Sequence, residues 1–330
     1  MAKVILEAWW SGPGIYLPLD NIVELEQHNN ENAVFERCEI VKGRVIMEKQ
    51  SRREFLAAAG AGLGYLAAGG SVGYCKEGEK KKCCDKDGGR IKLGLASYTF
   101  REFGLDETLE FAQKLGLKYI ALKSFHLPLE STKEKIVEAV TKVEKAGLKL
   151  YGGGVIYMNN EEEVNRAFEY ARAASMRTII GVPKHELLGL VNEKVQAYDI
   201  QVAIHNHGPG DKVYPTPASA YEKIKGLDKR IGLCIDIGHT QRCGIDPSES
   251  AERFAERVVD VHIKDVSEST GEGTTVEIGR GVIDIPKFVR TLVKIKYGGV
   301  VSFEHEKDGN DPLAGVAESV GYVRGVIASI

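Results

Sequence analysis

From Ile91 to the C-terminus the chain alternates, eight times over, a short apolar run with a segment whose apolar residues recur at helical spacing. That rhythm leaves few folds open. Repeated switching between the two periods means βα units. Eight of them in about 240 residues close into a (β/α)8 TIM barrel more readily than they open into a doubly wound sheet. Ile91–Phe100 reads as the first strand. The expected helix after it, Leu105–Leu115, carries Leu105, Leu109, Ala112 and Leu115 on one face, and Gly116 stops it. Further strands are expected at Lys118–Lys123, Leu148–Val155, Thr178–Val182, Gln201–His205, Ile231–Ile235, Val258–Ile263 and Val300–Phe303. Helices are expected between and after them, at Thr132–Ala146, Glu161–Ser175, Glu186–Tyr198, Pro217–Gly226, Pro247–Glu256, Ile285–Lys294 and Leu313–Ile327.

Four successive strand ends carry a polar residue: His205 in VAIHNHG, Asp236 in LCIDIGH, His262 in VVDVHIKD and Glu304 in VVSFEHE. In a closed parallel barrel the C-terminal strand ends converge on one rim. Two imidazoles and two carboxylates meeting there make a site for one divalent metal ion. The competing reading is a network of rim salt bridges, because buried charges must be paired.

Parity adds further candidates. His207 has the same parity as His205, so both can point inward. Lys264 and Glu306 follow His262 and Glu304 in the same way, Lys264 toward substrate oxygens and Glu306 behind the ligands. Lys123 ends the second strand; near a metal charge its pKa falls, so it can serve as a base or orient an oxyanion. Tyr98 and Arg101 close the first strand and are expected to contact substrate. Gly279 and Gly281 in IGRGVIDI serve a turn before the next helix.

Other function classes lack their marks. No GxGxxG follows the first strand and no GxxxxGK[ST] occurs, so neither a dinucleotide nor a P-loop role is supported. A net charge of -3 points away from nucleic acid. Cys83-Cys84 has no zinc-knuckle spacing, and six cysteines in 330 residues make no disulfide scaffold.

A segment within the first 90 residues is expected to address the protein rather than build it. Ser51-Arg52-Arg53-Glu54-Phe55-Leu56 followed by an apolar, Gly/Ala-rich stretch to Gly73 resembles a twin-arginine export signal. Met47 lies just before it, so residues 1–46 read as an over-extended start, residues 47–75 as the signal segment, 76–90 as a charged linker and 91–330 as the barrel. Export machinery is then a partner and the periplasm the destination; the cytoplasm is the alternative if residues 1–46 are genuine.

The ordered set AIHNHG, LCIDIGH, VVDVHIKDV, IGRGVIDIPKFVRTL and GGVVSFEHE resembles the sugar phosphate isomerase/epimerase superfamily of xylose isomerase-like TIM barrels, over residues from about 91 to 330. The resemblance implies one divalent ion, manganese, cobalt, magnesium or zinc, at the strand ends. Asp236, His262 and Glu304 match the ligands on the sixth, seventh and eighth strands. The fifth-strand ligand of the epimerases is a glutamate, and His205 stands in its place. His239 lies in the loop where relatives use a histidine near metal and substrate. Relatives often pair through barrel helices, which makes a homo-oligomer an open expectation. The activity implied is isomerisation or epimerisation of a keto-sugar through an enediolate. Glu304, Lys123 or a histidine of the HNH pair would be the base. Without the fifth-strand glutamate the two-carboxylate proton shuttle is incomplete, which shifts the expectation toward isomerase or lyase chemistry. A sugar-binding barrel without catalysis is a further alternative.

Overall fold

The computed structural model describes residues 91–330; of residues 1–90 it describes only short strands, the longest being Glu39–Val41 and Arg44–Ile46, paired antiparallel. Arg52-Arg53, the apolar stretch after them and the charged linker lie outside the described residues.

The expected barrel is present. Its strands are β1 (Lys92–Ala96), β2 (Tyr119–Leu122), β3 (Lys149–Met158), β4 (Thr178–Pro183), β5 (Gln201–His205), β6 (Ile231–Asp236), β7 (Val258–Ile263) and β8 (Val300–Phe303). They are parallel and close in the order β3-β4-β5-β6-β7-β8-β1-β2. Helices α1 (Leu105–Lys114), α2 (Lys133–Lys145), α3 (Glu161–Ala173), α4 (Leu188–Tyr198), α5 (Pro217–Ile224), α6 (Ile237–Arg242), α7 (Pro247–Arg253), α8 (Ile285–Lys294) and α9 (Leu313–Ala328) link and flank them.

Local chemistry sets the helix ends. The Thr132 hydroxyl, the Asn160 amide oxygen and the Asp284 carboxylate each accept from a backbone N–H in the first turn of α2, α3 and α8. Thr216 and Ser219 form a capping box around Pro217 on α5. Gly116 and Gly147 follow α1 and α2 in the left-handed region, as a helix stop requires. The inward stripes, such as Leu109 and Ala112 on α1 and Phe288, Val289 and Leu292 on α8, pack into one core with the strands.

Three boundaries differ from the sequence reading by three residues or more. The first strand leaves the ladder at Ala96, and Ser97–Phe100 form a 3-10 turn. Side-chain bonds take over there: Ser97 Oγ accepts from the Lys123 N–H at 2.8 Å, and Thr99 Oγ1 donates to the Phe303 carbonyl at 3.1 Å. The third strand runs on to Met158. The expected helix over Pro247–Glu256 stops at Arg253, and an unforeseen helix, α6, precedes it directly after β6.

Candidate metal centre

The rim at the C-terminal ends of β5 to β8 gathers four buried side chains. Asp236 and His262 face each other across the β6–β7 register, and His205 and Glu304 arrive from β5 and from just past β8. His205 Nε2 lies 3.1 Å from His262 Nδ1 and 3.5 Å from Asp236 Oδ2, and His262 Nδ1 lies 3.1 Å from Glu304 Oε2. All four are nearly inaccessible to solvent.

These separations test whether an ion fits. Donors held at about 2.0–2.2 Å from one centre stand roughly 3.0–3.5 Å apart in tetrahedral or octahedral arrangement. The three edges through His205 and His262 match, and all four donors lie within 4.8 Å of one another. The donor set, two imidazoles and two carboxylates, is one that divalent transition metals accept.

The second heteroatom of Asp236 is hydrogen-bonded and that of His262 only faces a carboxylate, which orients how each presents the first. Asp236 Oδ1 caps α6 by accepting the His239 N–H at 2.8 Å, so Oδ2 is left for the centre. His262 turns Nε2 toward Asp260 Oδ2 at 3.5 Å, leaving Nδ1 for the centre. Asp260 is itself held by the Tyr151 hydroxyl at 3.0 Å and the Cys234 thiol at 3.2 Å.

Charge is dense here. Burial opposes ionisation of Asp236, but His239, Lys264 and His205 overcome it and hold the carboxyl well below the ordinary range. Glu304 behaves alike, through His262 and Lys264. Burial pushes His205 down to about 3. Burial also opposes the imidazolium of His262, yet Glu304 and Asp260 raise its pKa above the ordinary value.

The remaining sequence candidates surround this group. Lys264 Nζ, buried, sits 2.8 Å from Asp236 Oδ2, 2.7 Å from Glu304 Oε2 and 2.9 Å from Glu306 Oε1. The Lys123 ammonium donates to the Val155 carbonyl at 3.1 Å and lies 5.7 Å from the Tyr98 ring; burial lowers its pKa against the pull of Glu304. The His207 ring is 4.5 Å from that of His205, and its Nδ1 is 3.3 Å from Asp211. The His239 ring stands 6.0 Å from His205. Arg101 stacks on Tyr98 at 5.1 Å and donates to the Glu306 carbonyl at 3.1 Å. Gly279 and Gly281 do serve a turn: their N–H groups bind Asp265 Oδ2 at 2.9 and 3.0 Å.

Sequence reasoning missed Tyr157, which stacks on His207 at 5.7 Å and shares a 3.1 Å hydrogen bond with its Nε2. It also missed Asp260, although its parity with His262 was visible. Two hollows, of about 760 and 600 Å³, open at the opposite end of the barrel around Lys92 and Tyr119. They lack metal-ligating clusters, so chemistry rather than volume marks the functional end.

Residues 186–326 match the model of the xylose isomerase-like TIM barrel family. The rhizopine catabolism protein MocC of Rhizobium meliloti is 28% identical over 133 residues, 36% of this chain and 40% of that protein's length. The zinc-bound IolI protein superposes with a TM-score of 0.62 at 19% identity, covering 72% of this chain and 99% of its own. An L-ribulose 3-epimerase gives 0.59 at 17% identity, covering 73% and 95%. The fold is therefore a xylose isomerase-like TIM barrel.

Proposed function

We propose that this barrel is a metal-dependent isomerase or epimerase that moves a proton next to the carbonyl of a keto-sugar. One observation carries the reading: four buried donors within 4.8 Å of one another, with a lysine that feels Glu304 and whose pKa burial lowers. His205, Asp236, His262 and Glu304 would hold one divalent ion, of the manganese, cobalt, magnesium or zinc kind. When bound, the ion supplies Lewis-acid polarisation of a carbonyl and its neighbouring hydroxyl.

The chain's own residues do the rest. Lys123 is poised as the base, because a depressed pKa makes the free amine available nearer neutrality. Glu304 and His207 are the other groups able to accept or return the proton. His239, Tyr98 and Arg101 line the rim where the rest of the sugar would lie. Return of the proton to the opposite face gives an epimer, and to the neighbouring carbon an isomer. The similarity in fold to an L-ribulose 3-epimerase supports the class.

Elimination of a group β to the carbonyl is the second reading. His205 favours it, because of the three groups beside Asp236 in the cluster only Glu304 is a carboxylate, and a symmetric pair of carboxylate bases is not formed. The test is deuterium wash-in at the carbon next to the carbonyl over a panel of keto-sugars. Exchange with retained skeleton supports isomerisation or epimerisation, loss of a β-substituent supports the second reading, and no exchange with any sugar rejects both. Export through Arg52-Arg53 is part of the proposal, and a mature protein that still begins near Ala2 would reject it.

A further inference from the structure

Lys264 makes contacts that neither a substrate-binding lysine nor a rim salt bridge requires. Its stem is buried and its ammonium touches Asp236 Oδ2 and Glu304 Oε2, the same two oxygens that face the metal position. A third carboxylate, Glu306, closes the cluster at 2.9 Å without being among the metal-facing donors. The path of the stem is built in: a Cβ on Gly238, at the start of α6, would stand 2.5 and 2.7 Å from Lys264 Cγ and Cδ. Thr275 Oγ1 donates to the other oxygen of Glu306 at 3.3 Å and keeps that carboxylate turned toward the lysine.

We infer that Lys264 and Glu306 set the charge of the metal centre. In the cluster that Lys264 touches, Asp236, Glu304 and Glu306 bring three negative charges and Lys264 one positive charge; ligating imidazoles are neutral, and Asp260 lies behind His262, outside this cluster. The group is left with two negative charges, the complement of one divalent cation. In water-poor surroundings an unmatched charge is expensive, so this balance selects for a divalent ion and limits how tightly it is held. Lys264 also keeps the two ligand carboxylates together before any ion arrives, so the barrel can fold metal-free. The inference rests on the metal centre proposed above but not on the sugar chemistry.

The experiment is a Mn²⁺ affinity cycle, read by chelator competition, on the full chain as wild type, Lys264→Met, Glu306→Gln and the double variant. Lys264→Met is prepared with Mn²⁺ present, because two buried carboxylates and the half-buried Glu306 without their ammonium destabilise the metal-free form. Glu306 is partly exposed, so its neutral isostere leaves the fold intact. Removing the ammonium should tighten Mn²⁺ about tenfold or more, removing the Glu306 charge should weaken it by a similar factor, and the double variant should return near wild type. Equal affinities in all four, or weaker binding by Lys264→Met, overturn the inference while leaving the metal centre standing. No binding to any of the four overturns the metal centre and the inference together.

Discussion

Asp260 stands two residues before His262 on the inward face of β7 and places Oδ2 3.5 Å from His262 Nε2. A carboxylate behind a ligating imidazole fixes its tautomer and ring orientation. Asp260→Asn keeps the shape but offers the imidazole N–H a weaker acceptor, or none. Metal affinity should fall by about 10–100-fold with little change in circular dichroism. An unchanged Mn²⁺ affinity would reduce Asp260 to a support for Tyr151 and Cys234.

The proposed ligands give the most direct prediction. His262→Ala and Glu304→Ala should each abolish stoichiometric metal, measured by ICP-MS on purified protein, whereas the wild type carries about one ion per chain. Metal that persists in both variants would place the ion elsewhere.

Lys123 separates chemistry from binding. Burial lowers its pKa, and its ammonium is tied to the Val155 carbonyl rather than to the four donors. Lys123→Met should therefore leave metal content unchanged and slow deuterium exchange by about 10²–10⁴-fold. In the wild type the exchange rate should rise with pH as the amine loses its proton. A variant that exchanges at the wild-type rate assigns the base to Glu304 or His207.

Much of this site could be read from the chain because strand ends recur in order and carry their chemistry with them. His205, Asp236, His262 and Glu304 each close an apolar run, and closure of the barrel does the rest. Parity placed Lys264 inward, but not its destination. Whether an inward side chain meets substrate or a neighbouring carboxylate depends on strand stagger, which is a property of the closed barrel. Tyr151, Asp260 and Cys234 were hidden for the same reason: inside KLYGG, VVDVH and LCID nothing marks them as sharing one level beneath the metal position. Asp236 Oδ1 as the cap of α6 was missed because a helix so soon after β6 has no apolar period long enough to read.

Asp265 gives a prediction about the frame rather than the chemistry. Wholly buried after β7, it accepts the N–H groups of Val266 and Ile283 on Oδ1 and of Gly279 and Gly281 on Oδ2, at 2.9, 3.2, 2.9 and 3.0 Å. A charged acceptor satisfying several buried donors is worth more than an ordinary hydrogen bond, and its loss leaves each donor unpaired. Asp265→Ala should cost about 3 kcal/mol or more in urea unfolding. A loss below about 1 kcal/mol would mean that water replaces the carboxylate.

The centre's histidines make the metal-free protein acid-sensitive in a window set by their pKa values. His205 titrates at about 3 in the folded chain against an ordinary 6.5, and burial lowers His207 as well. As pH falls through 6.5 the unfolded chain takes up protons that the folded chain refuses. The stability from these two groups is therefore complete above 6.5 and is lost progressively toward pH 3. His262, whose pKa is raised, works in the opposite direction and offsets part of the loss. Asp236 and Glu304 lie below the carboxylate range when folded, so their contributions are lost only near and below pH 4. Burial lowers His126 and His305 in the same direction, so between pH 7 and 5 the balance is four histidines against His262. The urea midpoint should fall across that interval, by at most about 1.4 kcal/mol per pH unit for each net proton. His205→Gln should flatten the fall, because the folded and unfolded states then bind the same number of protons at that position. A wild-type midpoint that rises on acidification would mean that His262 outweighs the four lowered histidines.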